Sequence, residues 1–135
     1  MTPDAGGFPA VTDTVTQDGI DVYAELSGDF NPLHVDPVAA AASEFGGIIA
    51  HGPIALHAFF RAATDWLGVD ALPATSSVSV TYRAPTRPGD RITCALRELT
   101  ETAPGRFDVA ADCVKDDGTV VVTVSATLAV PAVAD

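Results

Sequence analysis

Cysteine, lysine and methionine are all scarce in this chain of 135 residues, which holds two, one and one of them. Two cysteines, Cys94 and Cys113, cannot staple a disulfide framework, and no metal-ligand spacing links them. Both fall on inward positions of strand-like segments, so buried free thiols are expected. Cations are also few: 7 Lys and Arg against 18 Asp and Glu, or 7 − 18 = −11. A domain this acidic is repelled by phosphate backbones and anionic bilayers, which argues against nucleic-acid and membrane partners. The uncharged stretch from Phe45 to Phe60 is too short to cross a bilayer and is broken by Gly46, Gly47, Gly52 and Pro53. Met-Thr-Pro-Asp-Ala-Gly-Gly at the start has neither a basic nor an apolar leader region, so a cytoplasmic chain is expected.

With 47 % apolar and 19 % charged residues, the composition is that of a folded domain, and residues 1–135 suffice for one. Residues 1–13 carry little pattern and are expected to be loosely ordered. From Thr16 the apolar positions Ile20, Tyr23, Ala24 and Leu26 keep a helical period, with Asp18 and Asp21 early and Ser27-Gly28 as the stop. A turn-rich stretch follows. Asp36-Pro37 then opens a second helix, as N-cap and first helical residue, which the alanines carry to Phe45 and Gly46-Gly47 end. Gly52 to Leu67 reads as a helix apolar on most sides, with His57, Arg61 and Asp65 as its polar stripe. Such a helix must be wrapped.

Four period-two runs supply the wrapping. They are Val78-Val80-Tyr82, Ile92-Cys94-Leu96, Phe107-Val109-Ala111-Cys113, and Val120 through Leu128. Arg87-Pro88-Gly89-Asp90, Ala103-Pro104-Gly105 and Asp116-Asp117-Gly118 mark the turns between strands. Helices first and antiparallel strands after make an α+β domain, with the long helix lying in a curved sheet. A sheet edge and part of the helix stay uncovered in one chain of this length, so a homodimer is expected.

The block Ser27-Gly28-Asp29-Phe30-Asn31-Pro32-Leu33-His34-Val35-Asp36-Pro37, with His51-Gly52 after it, resembles the signature of the MaoC-like, or R-specific enoyl-CoA hydratase, family. The likeness runs from about Thr14 to Asp90 and more faintly to Leu128. It implies a hot-dog fold and a lyase that hydrates trans-2-enoyl thioesters, on coenzyme A or acyl carrier protein, to R-3-hydroxyacyl thioesters. It assigns the proton handling to Asp29 and His34, five residues apart in a loop stiffened by Pro32. The N–H of Gly52, at the start of the buried helix, is the implied donor to the thioester oxygen. The chain departs from the family pattern at Pro53, which has no N–H to offer where methionine is usual.

Other residues carry two readings each. Asn31 matches the motif asparagine on the substrate, or caps a turn. Asp36 reads as an N-cap. His51 lies beside the substrate or braces the loop through its ring. His57 narrows the acyl pocket or packs at an interface. Arg83, Arg87 and Arg91 bracket a turn, where they meet the phosphates of the carrier or act as edge charges. No H-E-x-x-H or similar spacing is present, and neither a metal nor a redox cofactor is expected. Two other functions fit the fold: an acyl thioesterase, and a non-catalytic subunit or carrier-binding partner of a larger complex.

Overall fold

The computed structural model of the chain describes residues 5–130. Helix α1 (Gln17–Ser27) begins where Thr16 accepts from the Gly19 N–H at 3.0 Å, and ends at Gly28. Gly28 has φ +77°, the left-handed conformation that favours glycine. Ile20 and Ala24 are buried, whereas Val22 and Leu26 face outward. Two short helices follow, α2 (Pro32–Val35) and α3 (Pro37–Ala41), capped by the side chains of Asn31 and Asp36. The first was not expected. The second ends earlier than its alanines suggest, because the Ser43 hydroxyl turns back to the Ala40 carbonyl at 2.6 Å.

The expected long helix has two parts. Gly52–Leu56 is a 3₁₀ turn, with the Ile54 N–H bonded to His51 O, and α4 (His57–Leu67) continues from it. Ala58, Phe59, Ala62, Ala63, Trp66 and Leu67 of α4 are buried, while His57, Arg61 and Asp65 form the outer stripe. Trp66 meets Phe107 of the sheet edge-on at 5.0 Å.

The strands are β1 (Thr12–Thr14), β2 (Ser77–Tyr82), β3 (Arg91–Ala103), β4 (Arg106–Lys115) and β5 (Val120–Ala129). They form one antiparallel sheet in the order β1-β3-β4-β5-β2. Strand β1 overlaps the end of the stretch 1–13 expected to be loose, of which residues 1–4 lie outside those described, and pairs Thr12 with Thr93. Strand β2 pairs with β5 rather than with its successor β3, so β1 and β2 are the two edges. The inward set Ile92, Cys94, Phe107, Val109, Ala111, Cys113, Val124 and Leu128 is buried, as the period-two pattern requires. A register shift between Cys113 and Val114 lets both Val121 and Val122 be buried. Val78, Val80, Leu96 and Val120 are half-buried, and Tyr82, an expected core position at the end of β2, is 51 % exposed.

Candidate active site

The loop between α1 and α2 is stiff for local reasons. The Asp29 N–H donates to Ser27 Oγ at 3.2 Å, and the Asn31 N–H donates to Asp29 Oδ1 at 3.1 Å. Asn31 in turn accepts from the Leu33 N–H at 3.0 Å, and Pro32 starts α2 with its φ already set. These bonds fix one carboxylate oxygen of Asp29 and turn the other, Oδ2, toward His34 Nε2 at 3.8 Å. The side-chain oxygen of Asn31 therefore caps α2.

His34 is oriented from its far side. Its Nδ1 lies 2.7 Å from the carbonyl of Ile49, which can only accept, so Nδ1 carries the proton. In the neutral ring Nε2 then presents a lone pair toward Asp29. The main chain secures both partners, with Ile49 N–H bonded to Leu33 O and Ala50 N–H to Thr86 O.

His51 is almost wholly buried and lies under this pair. Its ring stacks on His34 at 3.9 Å, with Tyr23 against it at 4.7 Å. Its Nε2–H donates to the Asp29 carbonyl at 2.9 Å, leaving Nδ1 buried without a partner among the described residues. His51 thus braces the loop rather than facing open space. Asp29, His34 and His51 bring donor atoms within 4.8 Å of one another, close enough to share an ion, although no sequence spacing signalled it. Two of the four imidazole nitrogens are already bonded to carbonyls, which weakens the set as a metal cage.

His34 opens on a cleft of about 370 Å³, walled by Phe45, Ile49, Gly52, Tyr82 and Arg83 among others. The Gly52 N–H, first of the 3₁₀ turn, has no acceptor among the described residues. Tyr82 covers Gly52 so closely that a Cβ there would lie 3.0 Å from the ring's Cε1. Burial of the ring, with a smaller contribution from Tyr23, raises the Tyr82 pKa above its ordinary value, so the phenol stays protonated at neutral pH. No sequence signal set Tyr82 apart from Val78 and Val80.

The other expected residues are not gathered at this cleft in the same way. Arg83 lines it but donates to Thr123 Oγ1 at 3.1 Å. Arg87 donates through its guanidinium to the Phe45 carbonyl, and ties the loop before His51 to the turn at Asp90. Arg91 lies 3.8 Å from Asp116. The three cations thus go to three different partners rather than converging on one anion. His57 lies in a separate apolar groove with Val22, Tyr23 and Leu26, and its Nδ1 is 3.9 Å from Asp13 of β1.

No helix among the described residues is long and apolar enough to cross a membrane. The chain is 32 % identical over 120 residues to 3-hydroxyacyl-thioester dehydratase Z of Mycobacterium tuberculosis, covering 87 % of this chain and 72 % of that protein. It is 31 % identical over 131 residues to the (R)-specific enoyl-CoA hydratase of Rhodospirillum rubrum, covering 94 % and 88 %. The solved structure of the (R)-hydratase from A. caviae involved in PHA biosynthesis superposes with a TM-score of 0.76 at 25 % identity, over 91 % of this chain and 93 % of that one. The family model described as the MaoC like domain matches residues 6–111, from before β1 into β4 and across the whole loop of Asp29, His34 and His51. The helix wrapped by an antiparallel sheet is therefore a hot-dog fold, and the chain belongs to the MaoC-like family.

Proposed function

We propose that the chain interconverts trans-2-enoyl and R-3-hydroxyacyl thioesters, with Asp29, His34 and Gly52 as its working groups. The observation that carries this reading is the opposition of His34 Nε2 and Asp29 Oδ2 at 3.8 Å, beside the free Gly52 N–H. In hydration a water between the two side chains gives a proton to the pair as its oxygen bonds C3. The C2–C3 π electrons move toward the thioester, and the oxygen that gains charge accepts from Gly52. The pair then returns a proton to C2, so its own proton count is unchanged over the cycle.

The acyl chain runs in the apolar groove of Val22, Leu26 and His57, which Tyr23 joins to His51 and His34. The carrier, coenzyme A or acyl carrier protein, reaches the cleft past Arg83, the one of the three arginines that lines it. The working unit is a homodimer, supported by the bare outer edge of β2 and by exposed Phe30 and Val38. Two buried free thiols fit a cytoplasmic location. The test is to follow loss of the conjugated enoyl thioester and release of free thiol in the same reaction. Loss of the enoyl signal without thiol supports hydration, thiol release would identify a thioesterase, and neither would identify a non-catalytic subunit.

A further inference from the structure

Hydration at C3 leaves negative charge on the thioester oxygen, and among the described residues the main chain at the start of the 3₁₀ turn offers one donor for it. The Gly52 N–H is free, Pro53 has none, and the Ile54 N–H is bonded to His51 O at 3.1 Å. A second donor has to come from a side chain at the cleft. His34 Nδ1–H is bonded to Ile49, Arg83 commits its Nε–H to Thr123 and its terminal N–H groups are assigned to the carrier above, and Thr86 is 3 % exposed, behind its backbone bond to Ala50. Tyr82 differs from all of these. Its ring supplies the three atoms nearest a Cβ built on Gly52, Cε1 at 3.0 Å and Cδ1 and Cζ at 3.2 Å, and the hydroxyl is one bond beyond Cζ. That hydroxyl has no hydrogen-bond partner among the described residues, and the residue is half exposed at the cleft wall. A tyrosine at an inward strand position, left out of the core and with its polar end free, is placed to meet a ligand.

We propose that Tyr82 is a further catalytic residue, its phenol donating to the thioester oxygen alongside the Gly52 N–H and taking the place that Pro53 leaves empty. The assignment rests on the hydratase reading above. No proton is transferred by Tyr82; the bond shortens as charge builds on the oxygen. Loss of one preorganised donor to such an oxygen lowers turnover by about 10²–10³-fold. The same bond polarises a conjugated thioester at rest, so a bound dienoyl-CoA absorbs at longer wavelength than the free compound.

The experiment compares wild type and Tyr82→Phe, which keeps the ring against Gly52 and removes only the hydroxyl. Expected are a fall in kcat of at least about 100-fold, the low side of that range, a KM changed much less, an unchanged unfolding temperature, and a smaller red shift of bound dienoyl-CoA. A smaller fall in kcat, or an undiminished red shift, overturns the assignment while leaving an active wild type as evidence for the reaction. An inactive wild type overturns the reaction itself, and the role of Tyr82 with it.

Discussion

Replacing Asp29 with Asn tests the proposed chemistry with little disturbance of the fold. Asn keeps an oxygen to accept from the Asn31 N–H, now 3.1 Å from Asp29 Oδ1, and it keeps the main-chain carbonyl that takes the His51 Nε2–H. It loses the ability to hold a proton. Asp29 is half exposed, so stability should change by no more than about 0.5 kcal/mol, as for an ordinary surface substitution. Activity should fall by about 10²–10⁴-fold, the usual worth of a positioned acid or base. His34→Ala should produce a similar loss of rate and a larger loss of stability. It leaves the Ile49 carbonyl without its partner and removes the ring stacked on His51, and the first of these alone costs about 0.5–1.5 kcal/mol.

The double variant separates cooperation from independence. Were the groups independent, the losses would multiply to about 10⁴–10⁸-fold. Because both act on one water and share one proton, the double loss should stay near the larger single loss. Initial rates on a short enoyl-CoA, measured beside thermal unfolding of all three variants, give both quantities. If Asp29→Asn retains more than about a tenth of wild-type activity, far above the acid–base range, the proposed mechanism is wrong.

Other outcomes follow from the same geometry. His57→Ser should open the groove beside Val22 and Leu26 and shift preference toward longer acyl chains more than it alters the rate on a short one; an unchanged chain-length profile with altered stability would assign His57 to the Asp13 contact alone. Cys94 and Cys113 face each other across β3 and β4, both fully buried; the hydrogen bond that the Cys94 thiol donates to Cys113, together with burial, holds Cys94 far above its ordinary pKa and lowers that of Cys113, so burial is what shields the pair from reagent. Both thiols should therefore resist a thiol reagent in the folded protein and titrate fully in denaturant, and rapid labelling of the native chain would refute this. Sedimentation at micromolar concentration should give twice the 13.8 kDa chain mass, and a stable monomer would remove the dimer.

What the sequence made legible was local. Thr16 and Gly28 bound α1 because a cap and a left-handed residue act over one turn, and both stand at the expected places. The strands announced themselves through period two, since each run alternates against a core whose inner face it shares with its neighbours. Pairing was not legible. That β2 joins β5 rather than β3 depends on contacts some forty residues apart, such as Val80 with Val124, which no window of sequence encloses. The short β1 escaped for a related reason: three residues cannot show a period, and Thr12–Thr14 is a strand only because β3 offers an open edge.

The candidate site divides along the same line. Asp29 and His34 are paired by the family resemblance of their block, and Gly28, Asn31 and Pro32 constrain the few residues around them so that the two side chains meet. What aims them comes from farther away. Ile49 sets the tautomer of His34, and His51 reaches back 22 residues to the Asp29 carbonyl. Arg87 depends on the same long reach. A cation in an acidic chain suggests an anionic ligand, yet its guanidinium answers a nearer need, the open carbonyl of Phe45 at the end of a loop that must return to the site. Tyr82 shows the converse case. Its position in β2 predicts burial, and the Gly52 backbone, which has no side chain to fill the space, draws its ring to the cleft instead of the core. A Cβ at position 52 would lie 3.0–3.2 Å from that ring, so glycine lets the phenol sit beside the first N–H of the turn without either having to shift.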